Sequence, residues 1–488
     1  MPILLHLRRL ALCLVCALLP VRAADGVSAG PLRHDFALTL DPGERTEIAG
    51  PFWSTQTEGS KVTMTLAPLF SRVDNPEVEA VSVDVLYPLM SYDAYGPEYR
   101  WHFLQLLSIS GGKDQSDGDV KRTTVFPFYF SQTSPDPSQN YTAFLPFYGT
   151  LKNRLFRDEV HFVLFPGYVQ TRKKDVVTDN YLAPIFHVRH GNGLEGWQFW
   201  PLIGHEHKDI TTLTNGFGET ELAGGHDKSF LFWPIYLHNE MGIGTTNAAS
   251  QLAVLPFYSV QKSPTRTSTS YLWPLGVTVT DDREAKFHEV GAPWPLVVFT
   301  RGEGKTVNRV WPLFGRAHNT NLTSDFYLWP IYKYNRAQAE PLDRERVRIL
   351  FFLYSDLDEK NTLTGKSRRR TDLWPLFTAR KDADGNERLQ LLAPIEPILP
   401  NNPSVERNWS PLWSIWRSEK NARTGAQSES FLWNLYRNER TPGTRKCSLL
   451  FGLIQYESGS KGAHWRLFYL PRGKDRGAEA HQARRSNE

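Results

Sequence analysis

Cysteine is nearly absent from this sequence: 488 residues carry three, Cys13, Cys16 and Cys447. The first two fall in an amino-terminal segment that reads as a cleavable leader. The mature chain then keeps Cys447 alone, and no intrachain disulfide framework can form. Leu12 and Val15 precede the leader cysteines where a small residue would be needed, which sets a lipoprotein anchor aside. No segment stays apolar for about eighteen residues, so no helix can cross a bilayer; a strand-built barrel stays open. Surplus charge is missing too. Lysine plus arginine number 56 against 52 acidic residues, and removing Arg8, Arg9 and Arg22 with the leader leaves a balance of +1. That balance argues against nucleic acid as a partner, because a phosphate backbone calls for a basic surplus gathered on one face. The cluster Lys366, Arg368, Arg369 and Arg370 reads as a solvated turn.

Familiar signatures of catalysis are also missing. There is no Gly-x-Ser-x-Gly elbow, no phosphate-binding glycine loop and no His-Glu-x-x-His. Asp382-Ala383-Asp384-Gly385-Asn386 resembles the start of a calcium loop, but Glu387 and Ala393 stand where glycine and a bidentate glutamate belong. It reads as a hairpin turn.

What is present begins with the leader. Arg8 and Arg9 precede the apolar stretch Leu10 to Val21, and Val21-Arg22-Ala23 offers a small residue at a cleavage site before Ala24. About a dozen apolar residues are too few to span a bilayer, so residues 1–23 are expected to be a Sec-type signal peptide. The expected location is the periplasm or the outer membrane.

The strongest signal is an internal repeat. A five-residue core recurs, made of an apolar residue, an aromatic or small residue, proline, an aliphatic or Phe, and an aromatic. Examples are Phe232-Trp233-Pro234-Ile235-Tyr236, Leu328-Trp329-Pro330-Ile331-Tyr332 and Phe144-Leu145-Pro146-Phe147-Tyr148. Most central prolines follow one another at 17 to 23 residues, and degenerate copies such as Leu432-Trp433-Asn434-Leu435-Tyr436 fill the gaps. About twenty to twenty-two units result. Each core reads as a strand, rich in aromatic and branched residues and too short and proline-marked for a helix. Polar stretches loaded with turn formers separate the cores. The expected fold is all-β, an antiparallel up-and-down meander of about 20–22 repeat strands. Residues 24–471 would form one domain, followed by a polar tail, 472–488.

Both faces of each core are apolar, which suggests cover on both sides. A propeller-like or other large closed sheet meets that condition. The alternatives are an outer-membrane β-barrel, whose strands need about 9–11 residues, and a solenoid. A proline inside nearly every strand fits poorly with a hydrogen-bonded ladder. Trp233, Trp273, Trp311, Trp329 and Trp374 share one slot of the repeat and are expected to pack between sheets.

Leader and tandem Trp-Pro-Leu-Phe/Tyr units together resemble bacterial exported envelope proteins that carry many such repeats. The resemblance covers most of the mature chain. It implies an envelope location and brings no activity or functional residue with it.

One region departs from the repeat. Between Pro201 and Pro234 the spacing stretches to 33 residues, and the insertion, 205–229, is rich in glycine, histidine and acids. Six of the fourteen histidines fall between His187 and His238. Imidazole and carboxylate groups at short spacing are the donors a transition metal such as zinc would use, so His205, His207 and His226 are the expected ligands if a metal binds. No other cofactor is implied. The expected role is a non-enzymatic binding or structural scaffold of the envelope. The alternatives are a barrel passing solute or lipid, and a carbohydrate-active enzyme with its site in the insertion.

Overall fold

The computed structural model describes residues 32–114, 118–214, 220–460 and 462–468. The expected leader and the tail 472–488 lie outside the described residues. One antiparallel sheet of 42 strands runs from His34–Ala37 to Gly462–Leu467, and successive strands pair as an up-and-down meander. The all-β expectation holds; the strand number is about double the number of repeats.

The reason lies in what the proline core is. It is a turn, where a strand was expected. Strands Val176–Tyr181 and Phe186–Gly191 pair with each other, and Leu182-Ala183-Pro184-Ile185 is the link between them. The Ile185 amide donates to the Leu182 carbonyl at 2.9 Å, which puts Pro184 at the third position of the turn, and the Ala183–Pro184 peptide is cis. That is a type VI turn. The same closure joins Phe128 to Val125 at 2.7 Å and Ile331 to Leu328 at 2.8 Å. A residue with no N–H therefore sits outside the ladder, and the misfit between proline and strand disappears.

Its carbonyl is still used. The amide of Ala183 donates to Pro166 at 2.7 Å, that of Trp233 to Pro201 at 2.7 Å, and that of Trp329 to Pro312 at 2.8 Å. Each turn is thus hydrogen-bonded to the turn before it, and the ladder continues past the strand ends. One repeat is two strands, typically of five to seven residues, with an apolar turn at one end and a polar hairpin at the other, such as Asn192-Gly193. The turns of the repeat core lie along one edge of the sheet and the hairpins between repeats along the other.

The apolar edge has an unusual backbone. Leu164, Leu182, Phe232, Leu272 and Leu328, each two residues before a proline, all have φ between 45° and 54°. Left-handed backbone costs an L-residue with a bulky side chain roughly 1–2 kcal/mol, and glycine or asparagine takes it more easily. The repeat places Leu or Phe there again and again.

The two faces of the sheet differ. On one, Phe162, Val169 and Ala143 are buried and join Tyr141, Leu151 and Val160 in a core cluster. On the other, the first strand position beside each turn forms a row of directly opposed apolar residues, including Tyr168↔Tyr181, Tyr181↔Phe186 and Phe186↔Phe199. Much of this row is exposed, so the expectation of cover on both faces is corrected.

The ends of the ribbon come together. Thr39 Oγ1 donates to Ser428 Oγ at 2.7 Å, and Asn421 Nδ2 donates to the Leu40 carbonyl at 2.9 Å. The short helix Pro403–Asn408 lies between the last apolar turns and brings Asn402 Nδ2 to 3.0 Å from the Tyr87 hydroxyl. These are side-chain contacts. Among the described residues no ladder joins the first strand to the last, and no separate sheets of the propeller-blade kind occur.

Candidate functional site

The insertion is a hairpin mounted on a hairpin. Strand Ile203–Lys208 pairs directly with Gly225–Leu231, and a small separate ribbon, Thr211–Thr214 with Thr220–Ala223, projects between them. A similar two-residue ribbon, Lys113–Asp114 with Gly118–Asp119, lies between strands Leu107–Gly111 and Lys121–Val125. Glu219 lies outside the described residues.

Alternation along the strands sorts the three expected metal ligands. His205 and His207 are two apart and share a face. Asp227, opposite His207 in the register, lies between them, 3.2 Å from His207 Nδ1 and 3.7 Å from His205 Nδ1. His207 Nε2 also lies 3.4 Å from Asp209. The hydrogen bond to Asp227 is the main reason the His207 pKa is raised. His226 is on the opposite face, with Nε2 2.7 Å from Glu206 Oε1. Burial lowers its pKa more than the Glu206 hydrogen bond raises it. Glu206 also pairs with Arg189. Burial pushes its pKa up, but Arg189, the His226 hydrogen bond and Lys228 outweigh that and leave it low. So His205 and His207 come together and His226 does not join them. Among the described residues no three His, Cys, Asp or Glu side chains are grouped to hold a metal.

A second feature was not legible in the sequence, because its residues are hundreds of positions apart. Where the ribbon's ends meet they enclose a cavity of about 320 Å³, lined by Arg45, Glu47, Arg380, Arg388, Arg417 and Glu419 among others. Most of these charges are paired there. Arg45 lies 2.8 Å from Glu47, Arg380 is 2.6 Å from Glu406, and Arg388 is 3.1 Å from Glu419. Arg417 differs. Its Nε donates to Ser414 Oγ at 2.8 Å, and no carboxylate hydrogen-bonds to it among the described residues. Burial, reinforced by Arg45 and Arg388 and opposed by Glu47 and Glu419, pulls its pKa down to about 10. Deeper still, the Glu396 carboxylate accepts from Gln390 Nε2 at 2.7 Å and Trp413 Nε1 at 3.0 Å, and from the Ser410 hydroxyl. That carboxylate is a structural anchor for the helical segment.

The third feature is the apolar edge itself. The tryptophans of the repeat stand on it, so packing between sheets is corrected to packing from turn to turn. Trp200 and Trp233 have ring centroids 6.1 Å apart, Trp311 and Trp329 6.0 Å, and Phe352 meets Trp374 edge-on at 5.6 Å. Exposure remains high: 49% for Trp233, 61% for Leu182 and 64% for Leu272. The polar edge carries turns such as Lys174-Asp175 and Asp382–Asn386, with Leu155 and Phe156 as an apolar exception. The repeat slot is legible in the sequence, whereas its exposed surroundings are not.

No protein-family model matches this sequence, and no curated protein matches it either.

Proposed function

We propose that this chain is an exported repeat protein of the cell envelope that works as a non-enzymatic scaffold, with the apolar edge of its meander as the binding surface. The observation that carries this reading is the continuity of that edge: turn after turn places exposed Leu, Phe and Trp side by side along a 42-stranded sheet. Large contiguous apolar surface on a folded chain marks an interaction site. Export rests on the leader-like segment 1–23 and on the resemblance to exported repeat proteins. Cell fractionation with amino-terminal sequencing tests the location. A mature chain starting near Ala24 in the envelope fraction is expected; a cytosolic, uncleaved chain ends the proposal. Robust turnover of a defined small molecule by the purified chain would end the non-enzymatic part.

Passage through an outer-membrane barrel is the second reading, favoured by the meeting of the sheet's ends. Its difficulty is length. Strands of four to eight residues fall short of the roughly 9–11 that a tilted spanning strand needs. Gel mobility before and after boiling separates the readings, since a closed barrel shifts on heating. The carbohydrate-active reading rests on an insertion that is an extension of one hairpin, with His207 engaged by Asp227 and His226 by Glu206.

A further inference from the structure

We infer that the apolar edge inserts into one leaflet of a phospholipid membrane and holds the meander on the surface without crossing it. This rests on the scaffold reading above and names its partner.

Three observations point to lipid. The first is the height of the apolar band. It comprises the turns and the adjoining exposed row, such as Tyr168, Tyr181, Phe186 and Phe199. Two residues further along the same face many strands turn polar, with Thr150, His161, Gln170 and Asp179 in register and likewise Asn308, Arg316 and Asp325, while Tyr92 with Trp101, Val188 with Trp197 and Leu252 with Val260 carry the apolar band one step deeper. Strand residues rise about 3.3 Å each, so the band extends roughly 7 Å into the strands beyond the turns where that position is polar and roughly 13 Å where it stays apolar. Interfacial amphipathic helices bury their apolar faces about 5–10 Å deep, whereas the bilayer core is about 30 Å thick.

The second is the chemistry at the lower boundary. The Tyr168 hydroxyl donates to Asp179 Oδ1 at 2.7 Å, and the Arg316 Nε donates to the Tyr327 hydroxyl at 2.7 Å. Rings lie in the apolar row while their hydroxyls meet charged groups on the polar side. Tyrosine and tryptophan take that orientation where a membrane meets water.

The third is backbone conformation. Leu164, Leu182, Phe232, Leu272 and Leu328 adopt a left-handed backbone and are all more than half exposed. Fold stability would favour glycine or asparagine at such positions. A large apolar side chain is poor on both counts in water and is accounted for when the turn has an apolar medium to enter. The extent of the edge favours a membrane over a second protein, since turn after turn offers the same chemistry along it.

The test uses the purified mature chain and vesicles of phosphatidylethanolamine and phosphatidylglycerol at 3:1, with co-flotation as the readout. The comparison variant carries Leu182→Asn, Phe232→Asn, Leu272→Asn and Leu328→Asn, which suit the left-handed backbone and keep the fold. The natural chain is expected to float with vesicles and to stay bound at 1 M NaCl. The variant is expected to lose at least tenfold in partitioning while its strand circular dichroism and unfolding midpoint hold or improve. Bromine near the headgroups should quench tryptophan emission more than bromine at the chain ends. Equal partitioning of the two proteins overturns the inference, as does failure of the natural chain to float. Strongest quenching from the bilayer centre with ion conductance overturns it in favour of a spanning barrel. Edge-dependent self-association that replaces flotation overturns the lipid assignment and leaves the scaffold reading standing.

Discussion

The guanidinium of Arg407 and the carboxylate of Asp84 lie 2.9 Å apart although 323 residues separate them. Asp84 is 1% exposed, and the same oxygen accepts from Asn408 Nδ2 at 2.9 Å and Ser71 Oγ at 3.1 Å. One acid near the start of the meander thus ties down the short helix near its end. Removing one member of a buried pair strands the other charge and costs about 3–5 kcal/mol. Asp84→Ala is expected to lower the unfolding free energy by an amount in that range, read as a fall in the denaturant midpoint. Arg407→Ala should do less, since Asn408 and Ser71 still serve the carboxylate. A double mutant whose loss falls well short of the sum would confirm direct coupling; full additivity would count against it.

Two glycines make room for rings. Gly315 faces Phe326 across the register, and a Cβ at Gly315 would overlap Phe326 Cε1 and Cζ. Gly204 and Phe230 repeat the arrangement. Overpacking of this kind costs about 1–3 kcal/mol. Gly315→Ala is expected to destabilise by that much, and adding Phe326→Leu should recover part of it. A neutral Gly315→Ala midpoint would show that the ring is not held over the glycine.

Periodicity exposed the repeat, the antiparallel meander and the place where the spacing breaks, because hydrogen-bonding pattern and turn chemistry are local. The proline core reads as a strand for an equally local reason. Aromatic and branched residues on both sides of a proline suit a pleated surface, and at Leu182-Ala183-Pro184-Ile185 nothing in composition separates a strand from an exposed apolar turn. The difficulty of a proline inside every ladder was the clue, and a turn resolves it. In the insertion, two-residue spacing placed His205 and His207 together correctly, while the opposite face of His226 depends on how Gly225–Leu231 registers against Ile203–Lys208. Asp84, Arg407 and Arg417 carried no signal, since only the curvature of the whole sheet brings those stretches together.

Stability should fall on mild acidification. Burial lowers the pKa of His34, helped by Arg437, of His187, helped by Arg189, and of His226 despite Glu206. A histidine whose folded pKa lies below its ordinary 6.5 binds its proton first in the unfolded chain. Its stabilisation is therefore present above pH 6.5 and is lost as pH falls through the folded pKa. The slope is at most about 1.4 kcal/mol per pH unit for each group. His207, raised by Asp227, works in the opposite direction and is exposed, so its weight is small. Denaturant midpoints at pH 7.5 and 5.5 are expected to differ, and His187→Gln should reduce the difference. Below about pH 4.5 a second loss is expected as Glu206 and Glu289, whose depressed pKa values reflect Arg189 and Lys305 overcoming burial, become protonated. A flat profile from pH 7.5 to 5.5 would contradict the burial of these histidines.

Arg417 is a cost that the fold carries. Its neighbours Arg45 and Arg388 repel it, burial strips its solvation, and its pKa comes down to about 10. At neutral pH it is still charged, so a half-buried guanidinium lines the cavity with Glu47 and Glu419 nearby but, among the described residues, no carboxylate hydrogen-bonded to it. Replacing buried charges by apolar groups of similar volume is often neutral or stabilising by about 1–4 kcal/mol. Arg417→Met is therefore expected to leave the unfolding midpoint unchanged or raise it. Arg45→Met should behave oppositely, because it strands the Glu47 carboxylate, which also accepts from Asn434. The pH sign provides a second check. A folded pKa of about 10, below the ordinary arginine value, means the unfolded chain holds the extra proton as pH rises past the folded pKa. The penalty from Arg417 should shrink as pH rises past that point. Strong destabilisation by Arg417→Met would show that Glu47 and Glu419 compensate the guanidinium fully, and would make Arg417 a clasp between the two ends of the sheet.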